Sequence, residues 1–253
     1  MPKIISIHSF RGGTGKSNST ANLATLMAAR GLRVGVIDTD IQSPGVHVLF
    51  RLEPDQMHHT LNDYLWGNCN IEQAAHDVTE KVGMPASSKG RVFLVPSSVK
   101  SRDIVRILRE GYDMGLLNDG FQRLIELMKL DVLIIDTHPG VGEETLLSIA
   151  MSDAMLLILR PDQQDFQGTA VTVEVARQLD IPKMLLLVNK TPTSYDFGDV
   201  QKQVERSYDC VVAAVLPHSD EMMTLASSGV FVLRYPQHAI THSYNKVVDQ
   251  LLA

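Results

Sequence analysis

The sequence is poor in cysteine and contains no long apolar run. Only two cysteines, Cys69 and Cys210, occur among its 253 residues, and they lie far apart. Isolated cysteines exclude a disulfide framework and a clustered-thiolate metal site, and they are typical of a reducing compartment. No apolar run approaches the ~20 residues of a membrane span. Because Met1-Pro2-Lys3 leads straight into an apolar strand, we also expect no signal peptide and a cytoplasmic protein.

Charge of one sign is not in large excess either. The chain has 23 basic and 29 acidic residues, which gives a formal net charge of −6. This acidic balance argues against wholesale wrapping by nucleic acid, although it leaves room for a local basic patch. No internal repeat, heptad array or low-complexity tract is present. The length and the 44% hydrophobic content predict one large α/β domain over residues 1–253.

A glycine-rich segment, residues 10–17, lies between an apolar strand at 4–7 and a helix that begins near Lys16. Closely spaced glycines let backbone amides turn inward, and the helix start adds a partial positive charge, so a phosphate chain is the expected occupant. Lys16 would reach the terminal phosphates, and the Ser17 hydroxyl would hold Mg²⁺. The predicted nucleotide-binding residues here are Gly12, Gly13, Thr14, Gly15, Lys16, Ser17 and Asn18.

Apolar runs alternate with amphipathic segments of ten or more residues along the rest of the chain. This alternation predicts βαβ crossovers and a doubly wound, mostly parallel sheet flanked by helices. The predicted strands are 34–37, 91–95, 132–135, 155–159, 184–188 and 211–216. The predicted helices are 16–30, 116–128, 163–179, 220–227 and 239–252.

Three aspartates follow predicted strands. Asp38 and Asp40 come after strand 34–37, and Asp136 closes the most apolar run. Ligands bind at the carboxyl ends of parallel strands, and an apolar run closed by aspartate is what a Walker B strand requires. The alternative interpretation is that Asp38 and Asp40 are capping or turn residues. We interpret the nearby His138 as a residue that fills its loop.

The run Arg11-Gly12-Gly13-Thr14-Gly15-Lys16-Ser17 resembles the deviant Walker A box of the MinD/ParA family, with Arg11 in place of the signature lysine. Residues 38–44 are similar to the family's switch I, and Asp136-Thr137-His138-Pro139-Gly140 resembles its switch II. The resemblance extends from Lys3 to about Leu252. It implies a P-loop NTPase fold with ATP and Mg²⁺ as cofactors.

The resemblance also implies a role for each site residue. Lys16, Asp38, Asp40, Arg11 and Asp136 would be catalytic, and Ser17, Asp38 and Asp136 would hold the metal. Whether Asp38 or Asp40 orients the attacking water stays open. Arg11 would act in trans on the partner's nucleotide, in a homodimer with ATP sandwiched between the subunits. Asn189 and Pro217 would lie on the adenine side.

By the same resemblance, the chain is a dimerisation switch that hydrolyses ATP slowly, is stimulated by an adaptor or activator protein, and positions a cargo. The cargo would be a plasmid, a chromosome region or a division assembly. Two alternatives stay open. One is a nucleotide-sensing regulatory module with little hydrolysis. The other is an iron–sulfur carrier, which requires a cysteine pair that Cys69 and Cys210 do not provide.

Partners other than a second subunit are less specified. The basic amphipathic tail of MinD proteins is missing after Leu252, so we expect no membrane binding. Four basic residues, Lys100, Arg102, Arg106 and Arg109, fall on one side of a predicted helix. This stripe leaves nonspecific DNA open as a partner, and a solvated helix face is the alternative reading.

Overall fold

The computed structural model describes residues 1–253 and is built on one eight-stranded sheet. Its strands in chain order are Lys3–His8 (β1), Arg33–Asp38 (β2), His76–Asp77 (β3), Arg91–Val95 (β4), Val132–Asp136 (β5), Ala154–Leu159 (β6), Met184–Thr191 (β7) and Val211–Pro217 (β8). The spatial order is β3-β4-β2-β5-β1-β6-β7-β8. Every neighbouring pair is parallel except β3 and β4. The predicted doubly wound, mostly parallel sheet is confirmed.

Eleven α-helices connect the strands. They are Lys16–Ala29 (α1), Val46–Leu49 (α2), Leu61–Leu65 (α3), Ser101–Glu110 (α4), Met114–Met128 (α5), Glu143–Ala150 (α6), Gln163–Gln178 (α7), Phe197–Tyr208 (α8), Asp220–Leu225 (α9), Phe231–Arg234 (α10) and Ala239–Leu252 (α11). Two 3₁₀ turns lie at Pro54–Gln56 and Ile71–Gln73. No helix combines the length and the apolar character that crossing a bilayer requires.

Helices cover both faces of the sheet. On one face, α1 and α11 pack against the strands, and Leu23 and Tyr244 are fully buried there. On the other face, α5 covers one half of the sheet through Phe121, and α7 and α8 cover the other half. Strands enclosed in this way lose contact with water on both sides, which explains their continuous runs of valine, isoleucine and leucine.

The strand order places a crevice at the carboxyl end of β1. The chain leaves β1 for β2 on one side, whereas β6 pairs with the opposite edge of β1. In open α/β sheets, ligands bind where the strand order reverses in this manner. The glycine-rich loop, the ends of β2 and β5, and the start of α1 all meet at this crevice.

The twelve-residue helix α8 was not predicted, and neither were several short elements. They include the eight-residue helix α6, the four-residue helices α2 and α10, and the two-residue edge strand β3. Helix α6 begins at Glu143 after an N-cap, Gly142, that offers no side chain, so its two first-turn glutamates are a weak start signal. Strand β7 continues to Thr191, past the predicted end at residue 188.

Candidate functional site

The glycine-rich loop joins β1 to α1 in the conformation that a phosphate cradle requires. Gly13 and Gly15 have positive φ angles of 78° and 100°. Gly15 is the N-cap of α1 and has no side chain to bond the first amides of the helix. These amides therefore remain free to bind an anion, and the helix dipole adds to the attraction.

Lys16 extends from the first turn of α1 towards the end of β5. Its Nζ donates to Oδ1 of Asp136 at 2.8 Å and lies 3.9 Å from Oδ2 of Asp40. The Lys16 and Asp136 side chains are 6% and 1% exposed. Removing either partner from a buried ion pair leaves an uncompensated charge. The ion pair with Asp136 therefore holds the Lys16 side chain beside the glycine loop, as the sequence predicts.

Asp38 and Asp136 end adjacent strands and lie directly opposite each other in the register of β2 and β5. Burial and the neighbouring Asp136 carboxylate raise the pKa of Asp38 well above its ordinary value, and Lys16 opposes this shift. Each carboxylate keeps one buried Oδ2 atom without a hydrogen-bond partner. Adjacent carboxylate oxygens of this kind are the ligands that Mg²⁺ prefers, so the residues fit the predicted metal.

A polar cavity of about 410 Å³ lies over the glycine loop. Its lining residues are Ser9, Gly12, Gly13, Gly15, Lys16, Ser17, Asn18, Asp40, Ser43, His138, Pro139 and Lys190. Seven of the predicted site residues are among them. Asp38, Asp136 and Thr14 are buried beneath the cavity, while Arg11, Asn189 and Pro217 are outside its lining. Ser43 and Lys190 were not predicted as site residues.

His138 does not merely fill its loop, so that interpretation was wrong. Its Nδ1 lies 2.7 Å from Oδ1 of Asp40, and the residue lines the polar cavity over the glycine loop. The hydrogen bond to Asp40 raises the pKa of His138, although partial burial opposes the shift. A usable signal was the position of this histidine two residues after the aspartate that closes β5.

Arg11 is held by helix α7 of its own chain. Its guanidinium lies 3.2 Å from Oδ1 of Asp165 and 3.6 Å from Oδ1 of Asp162, and its side chain is 38% exposed. Arg160 contacts the same two aspartates. No local pattern indicates these partners, because they are about 150 residues away along the chain.

Asn189 supports the glycine loop from below. Its Nδ2 donates to the carbonyl oxygen of Thr14 at 2.8 Å, and its Oδ1 accepts from the amide of Lys190. The Lys190 Nζ donates to the carbonyl of Gly13 at 2.8 Å. A Cβ at Gly15 would overlap the Asn189 amide, so only glycine fits this close approach. Pro217 ends β8, in register with Thr191.

A glycine loop at a helix start, a buried lysine and two carboxylates in register are the features of a P-loop NTPase. The chain belongs to the ParA family: the sequence profile of that family, described as "NUBPL iron-transfer P-loop NTPase", matches residues 1–252.

Relatives of known sequence carry several names. An uncharacterized ATP-binding protein of Methanocaldococcus jannaschii is 26% identical over 98% of this chain and 87% of its own. The septum site-determining protein MinD of Neisseria meningitidis is 22% identical over 100% of this chain and 92% of its own. An iron-sulfur cluster carrier protein of Aquifex aeolicus is 28% identical over 98% of this chain and 66% of its own.

Solved structures show the same fold. MinD of Pyrococcus horikoshii, complexed with Mg-ADP, superposes with a TM-score of 0.81 over 99% of this chain and 96% of its own, at 20% identity. A MinC:MinD complex of Aquifex aeolicus gives a TM-score of 0.79 over 99% and 95%, at 17% identity. These likenesses confirm the predicted P-loop architecture.

Proposed function

We propose that the chain is an ATP-binding, slowly ATP-hydrolysing dimerisation switch of the MinD/ParA type that positions a cargo in the cytoplasm. One observation carries this proposal: Lys16 is buried at the start of α1 and paired with Asp136, which ends β5 in register with Asp38 at the end of β2. This arrangement joins phosphate binding to metal binding in a single site. Fold likeness alone is a weak basis for a function, whereas this geometry is a direct one.

Each residue of the site has a defined task in this proposal. Lys16, Asn18 and the amides of the glycine loop bind the phosphates, and Asp40 lies beside them to orient the attacking water. The water oxygen bonds to the γ-phosphorus as the bond to the ADP oxygen breaks, and ADP, inorganic phosphate and a proton leave. Catalysis of this reaction consists mostly of positioning and charge neutralisation.

The metal site is assigned to Ser17, Asp38 and Asp136. Both aspartates are buried and each has a free acceptor oxygen, and Ser17 lines the cavity beside them. When bound there, Mg²⁺ would neutralise charge on the phosphate oxygens. Lys16 would then exchange its contact with Asp136 for the phosphates.

Asn189 and Pro217 remain our adenine-side candidates. They end neighbouring strands β7 and β8. Because the Asn189 amide also holds the Thr14 carbonyl, adenine recognition and the shape of the glycine loop would depend on the same residue.

Arg11 is assigned the trans role. Its guanidinium is partly exposed on the rim of the loop, and a planar fork suits phosphate oxygens. To reach a partner's nucleotide, it must leave Asp162 and Asp165. We infer that ATP-driven dimerisation supplies the contacts that replace these ion pairs.

The proposal includes an adaptor or activator protein, because MinD of Aquifex aeolicus forms a complex with MinC. DNA remains a weaker proposal. On α4, Arg102 pairs with Asp103, while Arg106 pairs with Glu110 and stacks over the Trp66 ring. Those contacts reduce the charge that the stripe offers to phosphates.

Iron–sulfur carriage is the second candidate function, favoured by the family description and by the Aquifex aeolicus relative. Cys69 packs against the cluster under α5, whereas Cys210 packs against the cluster under α7 and α8. Burial raises the pKa of both thiols, that of Cys69 to about 11. Iron analysis of the anaerobically purified protein decides between the functions: stoichiometric iron would support carriage.

The nucleotide-binding part of the proposal is tested by Lys16→Ala. Truncating one partner of a buried charge pair costs about 2 kcal/mol or more, so ATP affinity should fall at least about 30-fold. Titration of a fluorescent ATP analogue measures the loss. Lys202→Ala, on the exposed face of α8, is the matched control.

The result would contradict the proposal if Lys16→Ala and Lys202→Ala bound ATP equally well. Unfolding midpoints of the same samples separate a binding defect from a folding defect. A wild type that binds ATP and dimerises but never turns it over would instead favour the nucleotide-sensing module.

A further inference from the structure

The two loops that contact the phosphate cavity are joined by one side-chain contact. Asp40 follows β2 and His138 follows β5, 98 residues later, and His138 Nδ1 lies 2.7 Å from Asp40 Oδ1. Both side chains are largely buried, at 24% and 11% exposure for His138 and Asp40. This nitrogen–oxygen distance lies at the short end of the range for hydrogen bonds to a charged carboxylate.

The contact fixes the direction of the Asp40 carboxylate. Oδ1 also accepts from the amide of Ser43 at 3.2 Å, while Oδ2 is the atom nearer Lys16. Ionised Asp40 only accepts, so the His138 Nδ1 carries the hydrogen. The Asp40 carboxylate is therefore held at Oδ1 by His138 and Ser43, while its Oδ2 lies towards Lys16.

The loop after β5 is held by contacts that do not involve the His138 ring. The backbone carbonyl of His138 accepts from Thr145 Oγ1 at 3.2 Å, and the amide of Gly140 donates to the carbonyl of Ser9 at 3.3 Å. The ring contacts Asp40 instead, and His138 lines the cavity together with Lys16 and Ser43. A loop-filling residue would have no reason to contact Asp40.

We propose that His138 is a positioning residue for ATP hydrolysis: its Nδ1 orients the Asp40 carboxylate towards the attacking water and links the two switch loops. This inference rests on the proposed ATPase function. It assigns the attacking water to Asp40 and the metal to Asp38. Asp38 is fully buried beside Asp136 and suits the metal, whereas Asp40 opens into the cavity.

The test compares His138→Ala, His138→Asn and Asp40→Asn in the full chain with Mg·ATP. Loss of a residue that orients a reacting group costs about 10- to 100-fold in activity. His138→Ala should therefore lower kcat by about that factor, with KM within about twofold of wild type. The Asn side chain places an amide N–H where Nδ1 lies, so His138→Asn should restore most of the rate.

A double variant tests whether His138 acts through Asp40. Asp40→Asn/His138→Ala should be no slower than Asp40→Asn alone, because both changes remove the same oriented carboxylate. Equal kcat in His138→Ala and wild type would overturn the inference, as would additive losses in the double variant. A rise in KM that matches the fall in kcat/KM would overturn it too, because it indicates lost binding.

The proposed function fails in a different way. Wild type that binds ATP without turnover contradicts the ATPase and, with it, the positioning role. Turnover in wild type that His138→Ala retains in full leaves the ATPase standing and removes only His138 from it.

Discussion

At the residue scale, the site depends on charges and polar groups that are held out of water. His8, at the end of β1, is fully buried with Nδ1 2.7 Å from Thr137 Oγ1. The Thr137 hydroxyl already donates to the carbonyl of Ile7, so His8 Nδ1 must be the donor. Burial, helped by the nearby charges of Lys16 and His138, lowers the pKa of His8 to about 3.

This burial predicts a loss of stability on mild acidification. The unfolded chain takes up a proton at His8 near its ordinary pKa of 6.5, whereas the folded chain does so only near 3. The contribution of neutral His8 to stability is therefore fully present above about pH 6.5, and it is lost as the pH decreases towards 3. Between about pH 7 and about pH 5.5, the free energy of unfolding should fall by about 1 kcal/mol on account of His8.

Urea unfolding at the two pH values measures the effect, with His8→Asn compared with wild type. The variant removes the titrating group and should show a pH dependence smaller by about 1 kcal/mol. His242→Asn, on the exposed face of α11, should keep the wild-type dependence. An unchanged dependence in His8→Asn would show that folding does not alter the pKa of His8, which would contradict the prediction.

Sequence reasoning located the residues whose chemistry is set by their own segment. Lys16 follows three glycines, and Asp38 and Asp136 each close an apolar strand, so their positions could be predicted from local spacing. The pairings of Arg11 with Asp165, of Asn189 with Thr14 and of His138 with Asp40 could not. Each joins segments about 100 residues or more apart, and no local pattern encodes such a contact.

At the element scale, helix α7 packs directly against the glycine loop. Phe10 lies over Gly168, where an added Cβ would overlap the Phe10 ring. Arg11 follows Phe10 and pairs with Asp165 one turn earlier on the same helix. The position of α7 therefore determines where the first half of the glycine loop lies.

Gly168→Ala should destabilise the chain by about 1–3 kcal/mol, because the extra methyl group forces the Phe10 ring to move in a packed contact. Chemical unfolding measures the change. In a Phe10→Ala background the ring is absent, and Ala is the better helix former by about 1 kcal/mol, so the same substitution should be neutral or stabilising. A loss that is equal in both backgrounds would exclude the Phe10 contact as its cause.

Helix α8 was not predicted, because only Val200, Val204 and Tyr208 mark its buried face among mostly polar residues. Other long helices, such as α1, α5 and α11, could be predicted because their hydrophobic periodicity spans several turns. The short helices α2, α6 and α10 could not, since each offers at most two turns of pattern. Tertiary contacts stabilise them instead: Phe231 of α10 is fully buried against the core shared by α1 and α11. Helix formation in such short segments depends on packing more than on propensity.

At the scale of the whole molecule, one continuous sheet brings every predicted motif to a single edge. The order β2-β5-β1-β6 sets Asp38, Asp136 and the glycine loop on adjacent strands. The fold class could be read from alternation of strands and helices, whereas the strand order depends on crossovers that leave no mark in the sequence. The proposal that the molecule works as a nucleotide-dependent dimer belongs to this scale.

The most direct test of that proposal is the solution mass by light scattering with Mg·ATP and with Mg·ADP, for wild type, Arg11→Ala and Arg11→Lys. Wild type should double its 28.0 kDa mass with ATP alone, Arg11→Lys should do the same, and Arg11→Ala should remain a monomer. Wild type that binds ATP yet stays at one chain mass with both nucleotides would contradict the dimerisation switch.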